Sequence, residues 1–203
     1  VQEIMRDHPR VSVSLEGAQR EQNETFGSLI PLFVLALFVI YALLAVPLRS
    51  YGQPLIIMSV IPFAFVGAVW GHIIMKSLGL LDSLAIMSVM GFIAATGVVV
   101  NSSLVLVHAV NSRRAAGMSV GNAVVDAAVS RCRPILLTSL TTFAGLTPLL
   151  LNQSVQAGVL IPMATSVAWG VMLATAVTLL VVPAGYLILD DIGGWRRKYF
   201  SGI

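Results

Sequence analysis

The sequence predicts an all-α polytopic membrane protein: five transmembrane helices, with a short surface helix between the third and fourth. Three observations carry that prediction. The 203-residue chain holds five long apolar runs, each long enough to cross a hydrocarbon core about 30 Å thick. Its composition is 57% hydrophobic and 10% charged, with a mean hydropathy of +0.91, far outside the mix of a soluble domain. Nearly all the charge lies between or beyond the apolar runs, where it does not have to leave water.

The elements follow in order. Residues 1–27 read as the end of a soluble domain and its connector: Val11 to Leu15 alternates as a strand does, Glu16-Gly17 closes it, and Ala18 to Thr25 is polar. A single strand leaves its backbone groups unpaired, so it is expected to complete a sheet that precedes Val1. The chain begins with Val, and no basic segment or cleavage site flanks the first apolar run, so it is expected to start mid-protein rather than with a signal peptide. The spans fall at about 28–48, 54–75, 84–110, 134–151 and 159–189. Between the third and fourth, residues 118–130 place Val120, Val124 and Ala127 on one helical face, which predicts a short helix lying on the membrane surface. Pro134 would mark the bend from it into the fourth span. Residues 191–203 form a tail.

Charge sets the orientation. With Arg49, Arg113, Arg114, Arg131, Arg133, Arg196, Arg197 and Lys198 on one side, only Lys76 remains in the opposite interhelical loops. That asymmetry makes the first side cytoplasmic, with the N-terminus outside and the C-terminus inside. The formal charge of +3 is explained by these loops and calls for no nucleic-acid partner; the bilayer is the partner the composition demands. The single Cys132 excludes an internal disulfide and a multi-cysteine metal site.

Polar residues inside the spans carry the functional information, because each needs a partner or water. In the third span Gly91, Ala95, Val98 and Ser102 share a face narrow enough for close helix packing. In the fourth, Arg131, Thr138, Thr142 and Gly145 share a face, flanked by Thr141: a hydroxyl stripe headed by a cation. Two readings stand for that stripe: hydroxyls bonding to their own helix, or a path for protons. Arg131 at a helix end can also snorkel to the headgroups, and Asn101 can serve as an interhelical hydrogen-bonding group. His72 and His108 lie most of a bilayer apart and cannot share a metal. His108, near the end of its span, reads first as a surface residue.

An intramembrane serine hydrolase would pair Ser102 or Ser103 with His108. Ser102 and His108 are about 240° apart around one helix, and no nucleophile-elbow sequence accompanies them. No phosphate-binding loop of the nucleotide-hydrolysing type is present either. Neither an enzyme nor a chain that burns ATP by itself is expected, and no cofactor is implied.

Four strings then carry a resemblance. They are Tyr41-Ala-Leu-Leu-Ala-Val-Pro-Leu-Arg-Ser50 with Gln53-Pro54; Gly97 to Asn101; Arg131-Cys-Arg-Pro-Ile-Leu-Leu-Thr-Ser-Leu140 with Gly145-Leu-Thr-Pro148; and Ile161-Pro-Met with Val182-Pro-Ala-Gly-Tyr186. Together they resemble the second half of a resistance-nodulation-division (RND) efflux permease of the hydrophobe/amphiphile type. The resemblance implies two six-helix repeats joined to periplasmic porter domains, a homotrimer in the bacterial inner membrane, and a periplasmic adaptor with an outer-membrane channel as partners. This chain would supply the last porter strand and helices eight to twelve; the first half would come from elsewhere in the same permease.

The resemblance also implies roles. Arg131 and Thr138 would belong to a proton relay with two aspartates on a helix of the first half, and Asn101 would lie beside them. Ser102, Thr141, Thr142 and His108 are candidates adjoining the relay. This chain has Val100 where the relay carries a Lys, and Ser102 and His108 where some relatives carry Asp. The expected function is proton-driven export of hydrophobic or amphiphilic compounds by the full permease, the fragment alone transporting nothing. Two alternatives remain: the second half of a protein-translocation accessory factor of the same superfamily, and a five-helix membrane subunit that does not transport.

Overall fold

A computed structural model describes residues 18–81, 86–152 and 154–200. The expected strand at Val11 to Leu15 lies outside them. Among the described residues the secondary structure is helical throughout: α1 (Ala18–Leu48), α2 (Gln53–Met58), α3 (Ile61–Ser77), α4 (Ile86–Ala115), α5 (Val120–Leu150) and α6 (Val155–Phe200). The polar connector from Ala18 is thus already part of the first helix, and the helix of the last span runs through most of the expected tail. The chain divides into two compact units, Val1–Phe38 and Val39–Ile203. In the first, the described helix from Gly27 on is apolar around its circumference, with Ile30 67% and Phe38 69% exposed, as a helix surrounded by lipid or by other helices would be.

Among the described residues four helical segments are long and apolar enough to span a membrane: Gly27–Leu48, Gln53–Ser77, Ile86–Ala115 and Gln156–Ile192. α5 is as long as any of the first three, with 31 residues. Its arginines and its Ser/Thr-rich stretch, Thr138 to Thr142, lower its hydropathy, so the fourth expected span is the polar one.

The second span is interrupted. Pro62 has no N–H for the carbonyl four residues back, and the helix breaks at Ser59-Val60 before resuming. The Ser59 hydroxyl donates to the Ile56 carbonyl at 2.7 Å, satisfying one of the freed acceptors. α3 and α4 both end on glycine. Gly79 (φ 69) and Gly117 (φ 91) sit in the left-handed region. In each case the next N–H reaches back five residues, Leu80 to Met75 at 3.0 Å and Met118 to Arg113 at 3.2 Å, the double-bonded helix stop that glycine favours.

The expected surface helix is not separate. Val120–Leu150 is one helix with Pro134 inside it, so the predicted bend into the fourth span is replaced by continuation. Proline removes one backbone bond, a loss that packing offsets in membrane helices. Ala123, Val124, Ala127 and Ile135 are all buried, and the buried face therefore runs across the proline.

Within the second unit α6 is the central helix, packed on α4, α3 and α5. Close approach makes this possible. A Cβ on Gly67 would lie 2.7 Å from the Trp169 carbonyl oxygen, and one on Gly170 3.1 Å from that of Ala64. At the end of the unit that holds Met75 and Leu150, a core of Met75, Leu81, Leu150, Ile161 and Ala164 closes the bundle. Phe143 meets Trp169 edge-on there at 5.3 Å. The small face predicted on the third span is partly confirmed: Gly91 and Ala95 are buried against α6. The buried ridge then continues through Val99, Ser103 and Val107 at steps of four, so Ser103 and not Ser102 is the enclosed serine.

Candidate functional site

The relay candidates lie on α4 and α5, two helices packed against each other. On α5 the hydroxyls turn back onto their own helix. Thr138 Oγ1 donates to the Pro134 carbonyl at 2.9 Å, and Thr141 and Thr142 both donate to the Thr138 carbonyl at 2.9 Å. On α4 Ser102 does the same to Val98 at 3.1 Å. This is the local bonding that serine and threonine adopt in membrane helices. Arg131, Thr138, Thr141, Asn101 and His108 are exposed, while Ser102 and Thr142 are half-buried. No hydrogen bond among the described residues joins Asn101, Arg131 and Thr138, and none reaches the side chains of Asn101, Arg131 or His108. The stripe is therefore an open face with its cation unpaired, on a helix whose opposite flank is seated on α6.

Other polar residues are brought together. Gln53 and Asn111 pair amide to amide at 3.1 and 2.8 Å. Tyr186 donates to the same Asn111 oxygen at 2.7 Å. Arg114 lies 3.4 Å from the Tyr186 hydroxyl, 6.0 Å from its ring centre, and 3.1 Å from Asp190. One network thus ties α2, α4 and α6 at the basic end of the bundle. Arg113 on α4 bonds Asp126 and, at 2.6 Å, Ser130, both on α5. Arg113 and Arg114, which the sequence offered only as orientation charges, therefore clamp helices.

At the other end of α3, buried His72 takes both its ring nitrogens into hydrogen bonds: Nδ1 to the Ala68 carbonyl and Nε2 to the Ser88 hydroxyl, each 2.8 Å. A carbonyl only accepts, so Nδ1 carries the proton and, in the neutral ring, Nε2 accepts from Ser88. Ser139 and Thr175 share a 2.6 Å hydroxyl pair between α5 and α6. Periodicity along one helix cannot show such pairs. Gln53 and Tyr186 did stand in the strings that carry the resemblance, the only signal that would have singled them out.

Tyr186→Phe is expected to leave one of the Gln53–Asn111 amide positions and the Arg114 contact short of a partner, lowering stability by about 1 kcal/mol. Thermal unfolding in detergent reads this; an unchanged transition would show that the hydroxyl does not hold the cluster.

A bundle of long apolar helices with an open, polar, cation-headed face on α5 defines a polytopic membrane protein. The chain belongs to the AcrB/AcrD/AcrF family, whose sequence profile matches residues 2–190; these are RND permeases. Among solved structures it is similar to a heavy metal efflux pump in two crystal forms. Crystal form II matches with a TM-score of 0.75 and crystal form I with 0.71, each at 27% identity and covering 94% of this chain. The chain spans 19% of the length of those pumps.

Proposed function

We propose that the full-length protein is a proton-driven secondary transporter of the bacterial inner membrane that exports hydrophobic or amphiphilic compounds. In this reading the chain supplies helices eight to twelve, with its N-terminus periplasmic and its C-terminus cytoplasmic. The observation that carries it is the exposed stripe of Arg131 and Thr138 on α5, with the Arg131 guanidinium unpartnered among the described residues. An unpartnered guanidinium at the head of a membrane helix attracts an anion, and in this reading carboxylates on the first half of the permease supply it. Arg131 stabilises those carboxylates while they are charged. When a proton neutralises them the attraction falls, and the helix packing responds. In this reading Asn101 and Thr138 belong to the same relay. Export is completed by a homotrimer with a periplasmic adaptor and an outer-membrane channel. No chemical turnover is assigned to the chain.

A metal cation is the second reading of the cargo, favoured by the two matched heavy-metal pumps. Proteoliposomes of the full-length permease test both. An imposed pH gradient should drive movement of an amphiphilic dye, and a protonophore should stop it. Gradient-driven movement of Cu⁺ or Zn²⁺ without dye transport would replace the first cargo with the second. Transport indifferent to the gradient would refute proton coupling.

A further inference from the structure

We propose that the groove at the basic end of the bundle is a binding site for a phosphate-bearing anion, a role separate from the relay and independent of proton coupling. The groove has a volume of about 470 Å³, and its wall includes Arg49, Ser50, His108 and Arg114, with Pro47 and Leu48 on its apolar side. No carboxylate lines it among the described residues. Arg114 is occupied by Asp190 and Tyr186. Arg49 and His108 are exposed, and neither side chain has a partner among the described residues. Arg49 is thus an unpaired cation on a wall without carboxylates, which raises the local potential and favours an anion, and the His108 ring adds a hydrogen-bonding group. A guanidinium fork matches two phosphate oxygens, and the Ser50 hydroxyl adds a neutral donor.

The backbone points the same way. Arg49 is the one non-glycine residue in the left-handed region among the described residues, with φ 47. It occupies the position after α1 where a glycine would be relaxed, so an arginine there is held against local preference. On the last turns of α1 before Arg49, Leu43 and Val46 are 68% and 79% exposed, an apolar surface for an acyl chain. Basic pockets between membrane helices at the cytoplasmic side bind anionic lipid headgroups. The shared chemistry is a phosphate, supplied by phosphatidylglycerol or free in solution.

The test uses full-length permease purified in detergent, with binding read by native mass spectrometry and thermal shift. Phosphatidylglycerol should bind and stabilise the wild type, and phosphatidylcholine should not. The pair Arg49→Gln with His108→Gln should weaken phosphatidylglycerol binding by about tenfold or more. Arg49→Lys should keep most of it, and Arg133→Gln, outside the groove, should leave it unchanged. If the double variant does not fold, His108→Gln alone should weaken binding several-fold. Inorganic phosphate that stabilises the wild type and displaces the lipid would name the free anion as the ligand; phosphate without effect would name the lipid. Equal binding of the two lipids, binding unaffected by the glutamine variants, or stabilisation by neither lipid nor phosphate would overturn the site.

Discussion

Replacing Arg131 with alanine in the full-length permease is expected to abolish export while the protein still reaches the membrane. The guanidinium heads the open face of α5 and has no partner among the described residues, so in the proposed relay its counter-charge comes from the other half. Breaking a charge pair of this kind costs several kcal/mol, which lowers coupled transport by about 100-fold or more. Arg131→Lys keeps the charge but loses the planar fork, so intermediate export is expected. Thr138→Val separates the two readings of the hydroxyl stripe. If the Thr138 hydroxyl serves only the Pro134 carbonyl, as it does here at 2.9 Å, export is unchanged; if it relays protons, export falls. Undiminished export by the Arg131→Ala permease would remove the relay from this helix altogether.

Gly91→Ala is expected to be the most destabilising single-methyl change in the bundle. A Cβ at Gly91 would run into the Met163 carbonyl oxygen and come within 2.9 Å of the Ser166 Cβ. The oxygen belongs to the α6 backbone and cannot rotate aside, so α4 and α6 must separate. Overpacking of this sort costs about 3 kcal/mol, and in a membrane the van der Waals contact that is lost is the main force holding helices together. Gly121→Ala, where a Cβ meets nothing within 4 Å, is the control and should be neutral or slightly stabilising. Thermal denaturation of the two variants in the same detergent decides the matter: equal transitions would mean that α4 and α6 are not held at this distance.

Much of this was legible in the residues. The apolar runs announced long helices, because lipid forces every backbone polar group into an internal hydrogen bond and a run of that length has few other solutions; their ends were not legible, since α1 already begins at Ala18, α5 at Val120, and α6 continues to Phe200. The Gly91/Ala95 face announced close packing, and the Arg131–Thr138 stripe announced a polar face. The continuity of α5 was not legible. Pro134 by itself argues for a bend, and only Ala127 and Ile135, buried on either side of it, show that the helix continues. The interruption at Ser59-Val60 was missed for the opposite reason: hydropathy does not distinguish one helix from two in line.

The sequence by itself determined the solvent of this protein, the number of its apolar segments and the identity of its family, since these follow from composition and short strings read along one strand of chain. The tertiary structure decided which polar groups have partners. Gln53, Asn111 and Tyr186 are separated by 58 and 75 residues in their two hydrogen bonds, and His72 from Ser88 by 16. Hydrogen bonds are satisfied in space rather than along the chain. Helical period reports the face on which a side chain sits, but which helix meets that face is set by glycine-scale contacts between whole helices.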